Sequence, residues 1–210
     1  MNGVRERVKH HMPAVLLTLL SIVQALALEL IWSRGTEIAS LDQPGWVAAL
    51  LWAQMAANLV GIVVIWVVYV STVMRFIWLP TIGDSIYPFI IGIGEFLLVE
   101  TARPGALGFW FLQMAAVFAL MNWVSHHIFR RARTEPENDW HFRDVPPARL
   151  RDFYPAIAVV LTLGVVGVTF LVVDLHPGIG LVAVLAVNLL LLAQLRTAKG
   201  FWERTLSMDD

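Results

Sequence analysis

Six long apolar segments constrain this chain more than any other feature of its sequence. They cover residues 13–33, 44–75, 86–101, 104–129, 155–174 and 177–195. The hydrocarbon core of a bilayer is about 30 Å thick, and a helix needs roughly 20 apolar residues to cross it. Each segment has a proline at or near its first residue, where the missing N–H would have no helical partner. The segments predict an all-α, polytopic membrane protein with six transmembrane helices in a single domain, residues 1–210.

The composition also favours a chain that lies in lipid. Hydrophobic residues make up 58% of it and charged residues 15%, and the mean hydropathy is +0.70, whereas soluble chains are about half apolar and about a quarter charged. The sequence has no cysteine, which excludes thiol catalysis, disulfides and iron–sulfur clusters. The net charge of −1 gives no electrostatic reason to expect a nucleic acid as a partner, so membrane lipid is the expected surrounding.

Lysine and arginine are distributed unevenly between the two sides of the predicted bundle. Thirteen of the fifteen precede the first segment, follow the last, or lie in the connections after the second and fourth, whereas Arg34 and Arg103 lie on the other side. Cytoplasmic loops carry an excess of basic residues, so both termini are predicted to be cytoplasmic, in a multi-pass protein of the cell inner (plasma) membrane. The basic connection 130–152 is expected to be a solvated cytoplasmic connector, since its three prolines disfavour a long helix.

A weak internal repeat runs through the segments. In the odd-numbered ones a polar residue is followed by four apolar residues and an acid, at 24–29, 95–100 and 169–174. In the even-numbered ones Gln-Met-Ala-Ala occurs at 54–57 and 113–116, with Asn188 as a loose third member. This pattern favours three repeated helical hairpins, near 13–78, 84–130 and 152–200. Because apolar helices use few residue types, short matches also arise by chance, and both interpretations stay open.

Acidic side chains inside the predicted spans are the first candidates for a functional site. A charge in the bilayer core costs about 2.5–3.5 kcal/mol or more, so such residues normally face a protein interior or water. Glu95 lies about 7.5 Å deeper along its helix than Glu100, which makes it the most informative acid. The predicted cation pathway consists of Glu95, Glu29, Glu100, Asp174, Gln24 and Thr169. In the alternative interpretation, Glu29, Glu100 and Asp174 cap helix ends in the headgroup layer.

Amides and histidines form two further sets of candidates. Buried amides either join membrane helices by hydrogen bonds or line a polar path, and the candidates are Gln54, Asn58, Gln113, Asn122 and Asn188. Imidazoles on different helices are able to bind a metal or haem. The weak candidates for such a site are His10, His11, His126 and His127, although interfacial histidines without a ligand are commoner. No other cofactor is predicted.

Three functions compete at this point. The leading hypothesis is a channel or transporter for a small cation or proton that uses the intramembrane carboxylates, and a wide pore would require a homo-oligomer. The alternative is a non-transporting scaffold, sensor or accessory subunit of a membrane complex. The third is a membrane-embedded enzyme or a haem or metal protein. The enzyme is disfavoured because the sequence has no HExxH motif, no Walker loop and no G-x-S-x-G motif with a partner histidine.

Overall fold

The computed structural model describes residues 2–40, 44–173 and 175–206, which form seven α-helices and no strand. The helices are α1 (Asn2–Ser40), α2 (Gly45–Arg75), α3 (Ile82–Glu100), α4 (Leu107–Ala132), α5 (Asp139–Phe142), α6 (Tyr154–Val172) and α7 (Pro177–Leu206). Short 3-10 turns occupy Pro104–Ala106, Pro136–Asn138 and Leu150–Phe153. All the α-helices except α5 are long and apolar enough to cross a bilayer, which confirms the predicted six-span, all-α fold.

Two helices begin earlier than their prolines predict. α1 starts at Asn2 and carries Pro13 in its interior, and α3 starts at Ile82 and carries Pro88. An interior proline removes one backbone hydrogen bond, a loss that membrane helices tolerate. α3 starts at Ile82 because its N-terminus has a capping box, in which Asp84 accepts a hydrogen bond from the backbone N–H of Thr81. The prolines therefore predicted starts for α1 and α3 that lie further along the chain than the observed starts.

Helix packing follows an order different from the chain order. α1 packs against both α2 and α3, α3 against α4, α4 against α6, and α7 against α2. α2 and α3 also touch. We call the end of the bundle at which α2 and α4 end the basic end, and the end at which they begin the far end. Because α6 packs chiefly on α4 and α7 chiefly on α2, the three predicted hairpins are packed differently, and the sequence repeat stays a prediction.

Two glycines bring the backbones of α4 and α6 together. A Cβ atom on Gly108 would lie 2.8 Å from the carbonyl oxygen of Gly167, and one on Gly167 would lie 2.9 Å from that of Gly108. Small residues permit such close approach between membrane helices, where van der Waals packing drives association. Phe111 and Phe170 stack in the same interface, with ring centroids 5.8 Å apart. This contact attaches α6 to the bundle.

Buried ion pairs hold the basic end together. Arg131 of α4 donates to both carboxylate oxygens of Asp84 at the start of α3, at 2.6 and 2.7 Å, and Asp84 is only 3% exposed. Lys9 of α1 lies 2.8 Å from a carboxylate oxygen of Glu135 and 2.7 Å from one of Glu137. Buried charges need such partners, because an isolated ion in an apolar interior is very unfavourable. The pairs tie α3 to α4 and α1 to the connector.

Part of the connector is buried, although most of its residues are exposed. The side-chain amide of Asn138, which is 1% exposed, donates to the carbonyl oxygens of Ile77 and Ala132 and accepts from the N–H of Ile77. Glu135 is also buried, beside Lys9. A fully satisfied buried amide specifies one arrangement of the chain, so this part of the connector folds back onto the bundle. The expectation of a solvated connector is therefore wrong for these residues.

We expect the contact between α1 and the connector to weaken below about pH 4. The hydrogen bond from Lys9 lowers the pKa of the Glu137 carboxyl below its ordinary value, so the contact stabilises the fold above the unfolded-state pKa and is lost as the pH falls through the folded-state pKa. The rate of backbone amide hydrogen exchange in residues 133–142, corrected for intrinsic rates, should rise as the pH falls below about 4. Lys9→Met should raise it already at neutral pH.

Arg5→Met is the matched control for Lys9→Met. Arg5 lies one turn before Lys9 in α1. Its side chain is mostly exposed, and its guanidinium is 3.8 Å from a carboxylate oxygen of Glu135. Exposed ion pairs contribute little to stability. Equal hydrogen exchange in the two variants at neutral pH would contradict the role assigned to Lys9.

Candidate functional site

A cavity of about 490 Å³ lies between α2, α3, α4 and α7. Its wall is mainly apolar and reaches from Asn58 and Glu95 in the bundle interior to Phe129 and Phe201 near the basic end. The wall residues beside Glu95 are buried, whereas Thr197 is exposed and Phe129 and Phe201 are partly exposed, so the more exposed part of the wall lies toward the basic end. An apolar cavity of this size with a few convergent polar groups is the usual form of a small-molecule site.

Large buried side chains lie beyond the buried end of the cavity wall. Trp110 and Phe111, at the start of α4, are at most 1% exposed. The indole N–H of Trp110 donates to Oδ1 of Asn58 at 3.3 Å, and the Asn58 amide donates to the carbonyl oxygen of Leu98 at 3.2 Å. These two bonds join α2, α3 and α4, and they fix the position of Asn58 in the cavity wall.

Glu95 of α3 lies on the cavity wall and is only 3% exposed. Its Oε1 accepts a hydrogen bond from Nε2 of Gln24 at 2.9 Å, and the same nitrogen donates to the carbonyl oxygen of Ile62 at 3.3 Å. The other carboxylate oxygen, Oε2, is buried and has no hydrogen-bond partner among the described residues. An unpaired buried oxygen is costly, and a proton or a bound cation would remove that cost.

A close approach of α1 to α3 positions Gln24 against Glu95. Gly92 lies one turn before Glu95, and a Cβ atom on Gly92 would overlap the Cγ1 methyl of Val23. Val23 adjoins Gln24 in the sequence, so the contact that only glycine permits is next to the hydrogen bond. A larger residue at position 92 would push α1 away from α3, because valine has one strongly preferred rotamer in a helix.

Three other residues of the predicted cation pathway have surroundings different from those of Glu95. Glu29 is exposed on α1, and Glu100 is exposed and paired with Arg34 at 3.0 Å. Thr169 donates to the carbonyl oxygen of Val165 within its own helix, and Asp174 lies outside the described residues. Within the part of the chain that the structure describes, Gln24 is the one predicted pathway residue that forms a hydrogen bond with Glu95.

Several predicted amides make hydrogen bonds between helices. Asn58 joins α2 to α3 and α4, as described above. Gln113 of α4 accepts from the Thr101 hydroxyl at the end of α3, at 2.8 Å. Asn188 of α7 donates to the carbonyl oxygen of Ala53 in α2, at 3.0 Å.

The other two amides behave differently. Asn122 donates to the carbonyl oxygen of Phe118 in its own helix, at 2.8 Å, and lies on the cavity wall. Gln54 is 0% exposed, and its side-chain amide has no hydrogen-bond partner among the described residues. Asn122 therefore belongs to the candidate site, whereas Gln54 is away from it.

The histidine candidates have separate surroundings. His10 lies 3.6 Å from Glu6 on α1, and His11 is exposed on the same helix. His126 packs edge-to-face on Phe153, and His127 stacks on Trp123. Among the described residues, no group of three or more His, Cys, Asp or Glu side chains is arranged to hold a metal ion.

An aromatic and basic cluster borders the cavity at the basic end. The Arg75 guanidinium lies 4.3 Å from the ring centroid of Phe201, which belongs to the cavity wall. Arg75 also lies 3.1 Å from Nδ1 of His141. Burial, together with the charges of Arg75 and Arg133, lowers the pKa of His141. In the sequence, Arg75 indicated only the membrane orientation, because a cation–π contact between distant helices leaves no pattern in the neighbouring residues.

Comparison with known proteins adds no family to this description. No protein-family model matches the sequence, and no curated protein and no solved structure matches it either. The six candidate spans fit a multi-pass membrane protein. Any functional conclusion beyond that class depends on the cavity and on Glu95.

Proposed function

We propose that this protein is a membrane carrier for protons or other cations, in which Glu95 is the cation-binding group. One observation carries the proposal: Glu95 is almost fully buried on the wall of a cavity and has one carboxylate oxygen without a hydrogen-bond partner among the described residues. Intramembrane acids are expensive, and they typically mark ion pathways and proton relays.

A carrier fits this cavity better than an open channel does. The wall is buried beside Glu95 and more exposed toward the basic end, at Thr197 and Phe201. Secondary transporters have a binding site deep in the membrane that opens to one side at a time. By the positive-inside rule, we propose that the basic end faces the cytoplasm of a cell whose inner membrane holds the protein. This conformation would then be the inward-open one.

Proton flux into proteoliposomes tests the proposal. Purified protein would be reconstituted with a pH-sensitive dye inside, and a pH gradient would be imposed alone or against gradients of sodium, potassium or benzyltrimethylammonium. We expect flux above that of empty liposomes in at least one condition, and we expect Glu95→Gln to abolish it, because the amide does not titrate.

Glu100→Gln is the matched control, since it neutralises an exposed acid on the same helix and should leave the flux unchanged. Absence of flux in every condition, from protein that elutes as a single folded species, would overturn the carrier and favour the scaffold or sensor. Equal flux from wild type and Glu95→Gln would remove Glu95 from the pathway.

A further inference from the structure

We infer that the cavity binds an organic cation with an apolar body, with its positive charge at Glu95. The inference deepens the proposed function, because it names the chemical class of the ligand of the same cavity. It depends on the charge, the wall and the size of the cavity.

Glu95 gives the cavity its charge. It is the only charged side chain among the described residues that line the cavity, and it lies where the wall is buried. Its free oxygen, Oε2, accepts but does not donate when the carboxyl is ionised. An anion would therefore meet a like charge, and a neutral ligand would leave the buried carboxylate unpaired, whereas a cation compensates it.

The wall of the cavity is chemically suited to an organic cation. Most of it is apolar and it includes three phenylalanines, Phe118, Phe129 and Phe201. Aromatic faces attract organic cations, and burial of apolar surface adds to the affinity. Met114 and Met121 also contribute to the wall, and flexible thioether side chains adapt to ligands of different shape.

An inorganic metal ion fits this wall poorly. Hard cations such as calcium need six to eight oxygen ligands, and magnesium keeps an octahedral shell. Glu95 contributes one free oxygen, Oδ1 of the neighbouring Asn58 already accepts from Trp110, and Gln24 presents its N–H rather than its oxygen to the carboxylate. An organic cation, whose charge is spread over a carbon framework, loses much less hydration on entering. Its size is also suitable, because cavities of about 300–1,000 Å³ accommodate drug-sized ligands.

Binding of radiolabelled tetraphenylphosphonium to the purified protein tests the inference. Equilibrium dialysis in detergent would be run on the wild type, Glu95→Gln and Glu100→Gln. We expect saturable binding by the wild type and by Glu100→Gln, and an affinity lower by about tenfold or more for Glu95→Gln, since a desolvated charge pair is lost. Unlabelled triphenylphosphine oxide, which is a neutral compound with a similar apolar body, should displace the label poorly.

The outcomes separate this inference from the proposed function. Saturable binding without flux of any ion would overturn the carrier and leave the ligand class standing. Flux without saturable binding, or equal displacement by the charged and the neutral compound, would overturn the inference and leave the carrier. If Glu95→Gln does not fold, the displacement experiment on the wild type still decides whether the site selects positive charge.

Discussion

Arg131→Ala should lower the melting temperature of the purified protein by about 10 °C. The variant leaves Asp84 buried at 3% exposure without the guanidinium that now binds both of its carboxylate oxygens. Removing one partner of a buried pair typically costs about 3–5 kcal/mol, and in a chain of this length each kcal/mol shifts the melting temperature by about 2–4 °C. Intrinsic tryptophan fluorescence during heating in detergent would measure the change.

Arg130→Ala is the control for that experiment. Arg130 precedes Arg131 on α4 but is exposed, so its removal should change stability by no more than about 0.5 kcal/mol. The double variant Asp84→Ala with Arg131→Ala should melt above Arg131→Ala alone, because it removes the unpaired charge as well. Equal melting temperatures for Arg130→Ala and Arg131→Ala would show that the pair does not stabilise the fold.

Gly167→Ala should destabilise the protein by about 1–3 kcal/mol. The added methyl would lie 2.9 Å from the backbone carbonyl oxygen of Gly108 and against the Leu112 side chain, and a backbone atom moves away only if α4 and α6 separate. Chemical denaturation of the protein in mixed micelles, followed by circular dichroism, would measure the loss. Gly108→Ala should act on the same contact, and the two effects should not add in the double variant.

Gly164→Ala is a matched control one turn away on the same helix. A Cβ atom at position 164 would meet nothing within 4 Å, and alanine is a better helix former than glycine by about 1 kcal/mol. We expect this variant to be as stable as the wild type or more so. If Gly164→Ala and Gly167→Ala destabilise the protein equally, close packing of α4 on α6 does not explain the effect of Gly167→Ala.

Side-chain depth alone identified Glu95 but not its surroundings. Its distance from the helix end follows from counting residues, and that count separated it from Glu100. Glu29 and Glu100 were predicted to lie in the same pathway as Glu95, yet both are exposed, and Glu100 pairs with Arg34. The side of a helix that faces the bundle interior depends on which helices pack against it. In a helix that is apolar on nearly every side, hydropathy carries little information about which side that is.

The capping box of α3 and the folded connector show the same limit. Proline was a poor marker for the starts of α1 and α3, because a local preference was outweighed by the capping residues and by continuous helical hydrogen bonding. In the sequence, Asn138 and Glu135 have the pattern of polar loop residues. Their burial depends on their partners, Ile77 and Lys9, which lie far away in the sequence.

The sequence by itself determined the class of fold: an all-α chain with six helices that are long and apolar enough to span a membrane. Hydropathy is a sum over neighbouring residues, so local composition suffices to predict a membrane span. Only the tertiary structure decided that α6 packs on α4 and α7 on α2, that Arg131 neutralises Asp84, and that a cavity with a single acid lies between four helices. Those features depend on side-chain shape and direction at contacts between distant segments, and neither quantity is additive along the chain.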